Sequence, residues 1–553
     1  MMSTPPPLDT QFDPTTKTWS GPPENHDKSR QIGEYVLDVL KNAVNQDKIV
    51  QIFHETGERT SVREMYLKIV RIGLRLQKAG VQPGDVVSVI SQVYPTTTAV
   101  LTAILAIGGV ASFLDSSAVT YYKDEKNDLR RTKPKFIICD AGIVDEIMEF
   151  TDGQPIITYG DNGGKYPTMD DFLVNYEQEE EELIPAKFEQ IDKVTAVIIP
   201  TSGTTGMPKL ICLSHAMVLS HFFRPIVHYD SYELISLNNC PMFWISGVVA
   251  SLQDLTELRT RIVTNLKSTP ESIIELSLKY NVTDVFCNSA QFTGCAQLLQ
   301  KIKTELPTIR AFSASGTTVP YHCVLELRKY FPNGYCMSGY GLSELAGIIS
   351  IDIFGPEGSV GLLTKGMQLR IKDEDGGLLG PNETGYVWAK CESEFLDYLN
   401  NEPPRHLKFD DEGFINSFDI GYFDDDGFLY VTGRREDMLE FMHQPVYSTK
   451  IETILLSHPD VIDVCVVGVR VPPYFDIPTA IVVKEADSQV TAEDIHLWIK
   501  DKLPSDLYKL RGGIYFVDEL PRTITGKVKK HLVKMQAFEL YHESGTNIED
   551  FKY

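Results

Sequence analysis

Nine consecutive residues, Thr201-Ser202-Gly203-Thr204-Thr205-Gly206-Met207-Pro208-Lys209, bring together two glycines, four hydroxyls and a lysine. These are the parts of a phosphate cradle. Glycines let the backbone turn its N–H groups toward an anion, hydroxyls donate further hydrogen bonds, and a lysine adds a point charge. The apolar, β-branched run Val194 to Pro200 just before it reads as a buried strand. The spacing is not that of a Walker loop, which requires Gly, four residues, then Gly-Lys-Ser/Thr. Only two residues separate Gly203 from Gly206, and Leu210 follows Lys209. Taken alone, the segment reads equally well as a Gly/Thr turn after a strand.

The elements that must position such a loop alternate along the chain. Ser61 to Gly80 reads as an amphipathic helix with Met65, Ile69, Ile72, Leu74 and Leu76 among its apolar positions and a glycine stop; Asp85 to Ile90 and Lys135 to Cys139 read as strands. The apolar segment Ala99 to Leu114 is short for a membrane span and carries Gly108-Gly109, so a buried helix followed by a turn fits it. This alternation predicts layered α/β sheets from about residue 33 to 345. Asp170 to Glu182 reads as a solvated acidic linker. After about residue 355, short strands between Gly/Asp/Asn turns predict a small β-rich, barrel-like subdomain: Gln368 to Lys372, Gly385 to Lys390 and Gly427 to Thr432. A further α+β unit starts near Gly433, with helices at Ser448 to His458 and from Thr491, where Asp494 completes a capping-box-like start, and strands at Val461 to Val467, Thr479 to Val483 and Gly513 to Val517. The expected division is therefore a loose arm over 1–32, a large α/β domain over 33–432 with its β-rich part at about 355–432, and a hinged, mobile C-terminal domain over 433–553.

At 553 residues the chain exceeds one core. Its net charge of -24 excludes a general nucleic-acid or anionic-membrane binder, which needs a basic face, so a nucleotide would have to meet locally placed Lys and Arg. The nine cysteines show no CxxC pair, and Cys212 with His215 lacks the second pair of a zinc site, which points to reduced thiols in an intracellular protein. No signal peptide or transmembrane segment is expected. The terminal Phe551-Lys552-Tyr553 is not the Ser-Lys-Leu peroxisomal address, so the expected location is cytoplasmic or peroxisomal.

Four more segments follow the loop in order: Ser338-Gly339-Tyr340-Gly341-Leu342-Ser343-Glu344, Ser417-Phe418-Asp419, Gly433-Arg434-Arg435-Glu436-Asp437, and Pro521-Arg522-Thr523-Ile524-Thr525-Gly526-Lys527. In this order and at these separations they resemble the adenylate-forming superfamily of acyl-CoA synthetases, 4-coumarate–CoA ligases, beetle luciferases and peptide-synthetase adenylation domains. The likeness covers about residues 35 to 540. Within that group Lys509-Leu510-Arg511-Gly512-Gly513 and Phe516-Val517-Asp518-Glu519 bring it nearest to the luciferase and coumarate-ligase branch.

The resemblance implies ATP, Mg²⁺ and CoA, and two half-reactions: a carboxylic acid becomes its acyl-AMP with release of pyrophosphate, and CoA takes the acyl group. It implies that Thr201 to Lys209, with Ser202, Gly203, Thr204, Thr205 and Gly206, hold the β- and γ-phosphates; that Tyr340 lies against adenine, flanked by Gly339, Gly341 and Ser343; and that Ser315 and Gly316 line the adenine and acyl pocket. Glu344 would hold Mg²⁺, a hard cation suited to carboxylate oxygen. Asp419 would accept from the ribose hydroxyls, Arg434 would contact the ribose, and Lys527 would reach the α-phosphate and the attacking carboxylate. Trp244, with Gly316 and Gly341, would shape the substrate pocket.

The sequence departs from the pattern of that branch at several points. Leu210 follows the loop lysine where a glycine is usual, Trp244 stands for a histidine, Ser338 for a glutamine, and Phe418 for a glycine. Past the hinge, Glu440 replaces a lysine and His443 replaces the glycine beside which the pantetheine arm would pass. Gly341-Leu342-Ser343-Glu344-Leu345 fails as a serine-hydrolase elbow because its fifth residue is not glycine. Two readings remain open at this level: a ligase of aliphatic or aromatic acids acting through CoA, and a diverged member that binds or adenylates without efficient thioester formation.

Overall fold

A computed structural model describes residues 9–24, 29–116, 123–173, 183–201, 209–223, 233–238, 240–317, 319–402, 408–485, 487–503, 505–522 and 527–545. Among the described residues the strands form four sheets. One has seven strands and its parallel part runs Thr195–Thr201, Val110–Leu114, Val86–Ile90, Phe136–Asp140, Ile156–Tyr159. Another has nine, with a parallel centre of Tyr335–Leu342, Ala311–Ser315, Asp284–Asn288, Ile235–Asn238, Thr260–Val263 and Ile49–Phe53.

Helices Ile32–Lys41, Val62–Lys78, Thr97–Ala106 and Ile245–Thr256 share one core with strand residues of both sheets, Val50 on one side and Val87 and Val89 on the other. Gly33 lets two of these helices touch, since a Cβ there would sit 2.3 Å from the Ala106 nitrogen. The helix predicted from Ser61 begins with that residue as its cap. Ser61 Oγ accepts the Glu64 N–H while the Glu64 carboxylate accepts the Ser61 N–H. Helices Pro270–Tyr280, Ser289–Ile302 and Tyr321–Arg328 form a separate core with Leu237, Val285 and Phe312 of the nine-stranded sheet.

Three sequence expectations change. Ala99 to Leu114 is helix only to Ala106; Gly108, at φ 80°, ends it and Val110–Leu114 becomes a central strand. The acidic stretch starts with the helix Met169–Leu173, whose Met169 is buried. Nor are the described residues 11–20 of the expected arm loose. Gln11–Asp13 and Thr18–Ser20 form a hairpin that joins Met367–Lys372, Gly385–Cys391, Ile415–Phe423 and Leu429–Arg434 in a six-stranded antiparallel sheet. The cause is Trp19, 2% exposed, whose ring stacks on Phe423 at 4.5 Å.

Residues 439–541 carry their own core, with Val446, Ile451, Val466, Ile481, Ile495 and Val533 at its centre. Its sheet pairs Val461–Val471 with Phe475–Lys484, which also pairs Met438–Phe441 and Ile514–Phe516. The expected capping box of Thr491 and Asp494 starts the helix Ala492–Lys502. All nine cysteines are free, and no helix among the described residues is long and apolar enough to cross a membrane.

Candidate active site

The site lies where strands of three sheets end together. Parallel strands leave their C-terminal edges as crevices, where loops can present groups to a ligand. In the nine-stranded sheet Asn288, Ser315 and Gly339 lie in register along that edge. Gly316, at φ 109°, has open space where a Cβ would stand, and a Cβ on Gly339 would meet nothing closer than 3.8 Å. Gly316 leaves room for a flat ligand to approach backbone. Gly341 has another reason: a Cβ there would lie 2.1 Å from the Gly347 carbonyl oxygen, across the antiparallel pairing of Tyr335–Leu342 with Gly347–Asp352.

Thr201 and Lys209 face each other as the paired ends of two antiparallel strands, Thr195–Thr201 and Lys209–Ser214, and the Thr201 hydroxyl donates to the Lys209 carbonyl at 3.2 Å. The loop thus closes a hairpin between strands. Ser202, Gly203, Thr204, Thr205 and Gly206 lie outside the described residues. Leu210, fully buried, packs with Val110 and Ile198, which explains a side chain where the branch has glycine.

Asp419 is the centre of one polar cluster. It is buried, its Oδ2 accepts from the Tyr340 hydroxyl at 2.5 Å, and its Oδ1 accepts from Arg434 Nε at 3.1 Å. Arg434 comes from the neighbouring strand, directly opposite Asp419 in register. Burial and the Asp419 charge both push the Tyr340 phenol well above its ordinary value. Burial works against the Arg434 guanidinium, but the charge and hydrogen bond of Asp419, with Tyr340 and Asp437, together outweigh it and raise its pKa. Phe418, one residue earlier, adopts φ 61°, the left-handed region that the usual glycine occupies without cost. Its N–H donates to Asn416 Oδ1 at 2.8 Å and the Asp419 N–H donates to Ser417 Oγ at 3.0 Å, a local side-chain turn that holds the strained residue and aims Asp419.

Glu344 forms a second charged centre, in the short turn Ser343–Leu345 after the Tyr335–Leu342 strand. Its Oε1 accepts from both the Tyr398 hydroxyl and the Lys408 ammonium, each at 2.9 Å. Burial opposes ionisation of Glu344, yet the Lys408 charge and these hydrogen bonds overcome it and leave its pKa below the ordinary carboxyl value. Tyr398 belongs to a two-residue strand that pairs with Lys209–Ser214, so this cluster stands beside the strand that begins at Lys209. Neither Tyr398 nor Lys408 was found from the sequence. No motif or periodicity marks them, and 54 and 64 residues separate them from Glu344.

Lys527, from the C-terminal unit, is half-buried at the same crevice, near enough to Arg434, Asp419 and Glu344 for their charges to act on it. Burial and then Arg434 lower its pKa below the ordinary 10.5, against the pull of Asp419 and Glu344. Trp244 is the cap residue of the helix Ile245–Thr256, with Nε1 buried and without a hydrogen-bond partner among the described residues. The turn before that helix is tight, since a Cβ on Gly247 would lie 2.1 Å from the Pro241 carbonyl oxygen. Glu440 and His443 lie at a hairpin tip, His443 Nδ1 3.2 Å from Glu440 Oε1 and its side chain exposed.

The donor set admits a magnesium ion at Glu344. No group of three or more His, Cys, Asp or Glu that could hold a metal occurs among the described residues, but Mg²⁺ needs only one or two carboxylates when phosphate oxygens complete its shell. His215 is fully buried, burial lowers its pKa to about 3, and neither ring nitrogen has a hydrogen-bond partner among the described residues.

A buried carboxylate held by a tyrosine and an arginine, and a second one kept ionised by a lysine, make this crevice suited to a charged, hydroxyl-bearing ligand. The AMP-binding enzyme family matches residues 40–399, and its C-terminal domain matches 450–527; the chain belongs to this family. It is similar to "Probable 4-coumarate--CoA ligase 1" of Dictyostelium discoideum, 27% identical over 508 residues covering 84% of this chain and 88% of that one. It is also similar to 4-coumarate–CoA ligase CCL1 of Humulus lupulus, 24% identical over 506 residues, covering 88% and 91%. The fold matches the anthranilate CoA ligase AuaEII, solved with anthranoyl-AMP, at TM-score 0.82 and 18% identity over 93% of this chain and 98% of that one.

Proposed function

We propose that the chain is an AMP-forming acid–thiol ligase. A carboxylate oxygen attacks the α-phosphorus of ATP, the bond to the β-phosphate oxygen breaks, and pyrophosphate leaves. The CoA sulfur then attacks the acyl carbon, the bond to the AMP oxygen breaks, and the thiol proton is released. The observation that carries this reading is the meeting of Asp419 with Tyr340 and Arg434, and of Glu344 with Tyr398 and Lys408, from segments far apart in sequence.

Asp419 accepts hydrogen bonds from the ribose hydroxyls, with Arg434 holding its carboxylate in place. Tyr340, in the strand beside Gly339, presents its ring to the base. Lys527 brings together two anions, the acyl carboxylate and the α-phosphate, and stabilises the charge that builds as they join. Glu344 would hold Mg²⁺, which would supply charge neutralisation for the phosphates that leave. Trp244 narrows the acyl pocket, and the relatives named for coumarate and anthranilate favour a flat aromatic acid over a long aliphatic one. The test is an ATP-dependent assay across aromatic and aliphatic acids that reads AMP and acyl-CoA separately. Formation of neither product with any acid sinks the proposal.

A further inference from the structure

The Lys408–Glu344 pair is charge placed at the triphosphate end of the site by the chain itself. The two side chains are only 15% and 9% exposed, so this is not a surface ion pair of small consequence. Lys408 is held by its backbone: its carbonyl accepts the Asn416 N–H at 2.8 Å, and Phe409 bridges to Ile415, at the start of the strand that carries Asp419. Its ammonium lies 5.5 Å from the Tyr398 ring centre and 5.8 Å from that of Phe418, the residue strained at φ 61° in place of glycine. Phe418 thus forms part of the wall around the lysine.

We propose that Lys408 is a built-in cation of the ATP site, sharing the Glu344 carboxylate with the divalent metal and taking over part of the charge neutralisation of the triphosphate. This rests on the reading of Glu344 as the metal carboxylate of an ATP-dependent ligase. The physics gives the pair two opposed effects. A carboxylate already bonded to an ammonium attracts a dication less than a bare one does. The same ammonium, on the cluster whose Tyr398 pairs with the strand that begins at Lys209, attracts a polyphosphate whether or not metal is present. A lysine that only supported the fold would affect metal and nucleotide in the same direction.

The experiment titrates the full-length chain with ATP by calorimetry, in EDTA and in Mg²⁺, and the ATP-saturated chain with Mn²⁺ by electron paramagnetic resonance. For Lys408→Met the expected result is a metal-free ATP Kd raised about tenfold, a Kd in Mg²⁺ raised less than about threefold, and Mn²⁺ bound about tenfold more tightly than by the wild type. Lys408→Arg keeps the wild-type pattern, and Glu344→Gln loses Mn²⁺ binding. Equal loss of ATP affinity with and without metal, or weaker Mn²⁺ binding, overturns the inference. Should the methionine variant fail to fold, Lys408→Gln, with a polar head, is read by the same criteria. A wild type that binds no ATP even in Mg²⁺ overturns the ligase reading and this inference together; a wild type that binds ATP, with an unchanged metal ratio in the variant, overturns this inference alone.

Discussion

The Tyr340 hydroxyl and the Asp419 carboxylate meet at 2.5 Å across 79 residues of sequence, joining the nine-stranded sheet to the six-stranded one. Asp419 is left facing two partners, Tyr340 and Arg434, in the position from which it would accept a diol. Asp419→Ala removes the acceptor and leaves Arg434 without its carboxylate. The expected cost in ATP binding is about 3 kcal/mol, roughly a hundredfold in Kd. The specific readout is discrimination: the wild type should bind ATP more tightly than 2′,3′-dideoxy-ATP, and the variant should bind the two alike. If the variant still prefers ATP, Asp419 is not the ribose acceptor.

Local features of the fold were readable from the sequence because they are local. The capping box at Thr491 needs only a hydroxyl and an acid three residues on. The strands at Val86–Ile90 and Phe136–Asp140 announce themselves as β-branched and apolar runs. What stayed hidden is pairing through space. The strands Gln11–Asp13 and Thr18–Ser20 are three residues each, too short for a period to show, and only the distant partner Phe423 makes Trp19 a core residue. The same holds in the site. Asp419, Arg434, Glu344 and Lys527 were legible because motifs carry them, whereas Lys408 and Tyr398 reach Glu344 from segments without any motif.

Lys527 supplies a pH prediction. Only the ammonium form can hold two anions, and burial with Arg434 puts its pKa below 10.5. Adenylation should therefore fall as pH rises through that lowered value, on an alkaline limb earlier than an ordinary lysine would give. Lys527→Arg, charged throughout, should shift the limb upward, and Lys527→Ala should lower pyrophosphate exchange by about a thousandfold. An exchange rate that survives the alanine change, or a limb that does not move in the arginine variant, removes Lys527 from the adenylation step.

His215 predicts the acid behaviour of the fold. Its neutral ring is fully buried against Phe188, and burial lowers its pKa from 6.5 to about 3. Below 6.5 the unfolded chain takes up a proton that the folded one refuses, so stability is lost as pH falls from 6.5 toward about 3. At pH 5 the interval is about 1.5 units, or about 2 kcal/mol. Thermal midpoints at pH 7.5 and 5 should separate the wild type from His215→Leu, which lacks this titration and should lose less on acidification. Equal losses would assign the acid sensitivity elsewhere.

The hairpin tip offers the sharpest test of the second half-reaction. Met442 and His443 form the two-residue turn between Met438–Phe441 and Gln444–Tyr447, at φ 49° and 60°. Two consecutive positive φ values call for Asn-Gly or a similar pair, so His443 holds a strained backbone worth about 1 kcal/mol. Glu440 adds a carboxylate where CoA, with its phosphates, would meet a lysine in related chains, and like charges repel. The double change Glu440→Lys with His443→Gly should relieve the turn, clear the path of the pantetheine arm and reverse the charge. It should leave pyrophosphate exchange unaltered, because neither residue touches Asp419, Glu344 or Lys527 among the contacts of this conformation. The KM for CoA should fall about tenfold, the size expected for exchanging one repulsive for one attractive charge contact, and the gain should shrink as salt is raised. An unchanged ratio of acyl-CoA to AMP at every CoA concentration would show that this tip does not limit thioester formation.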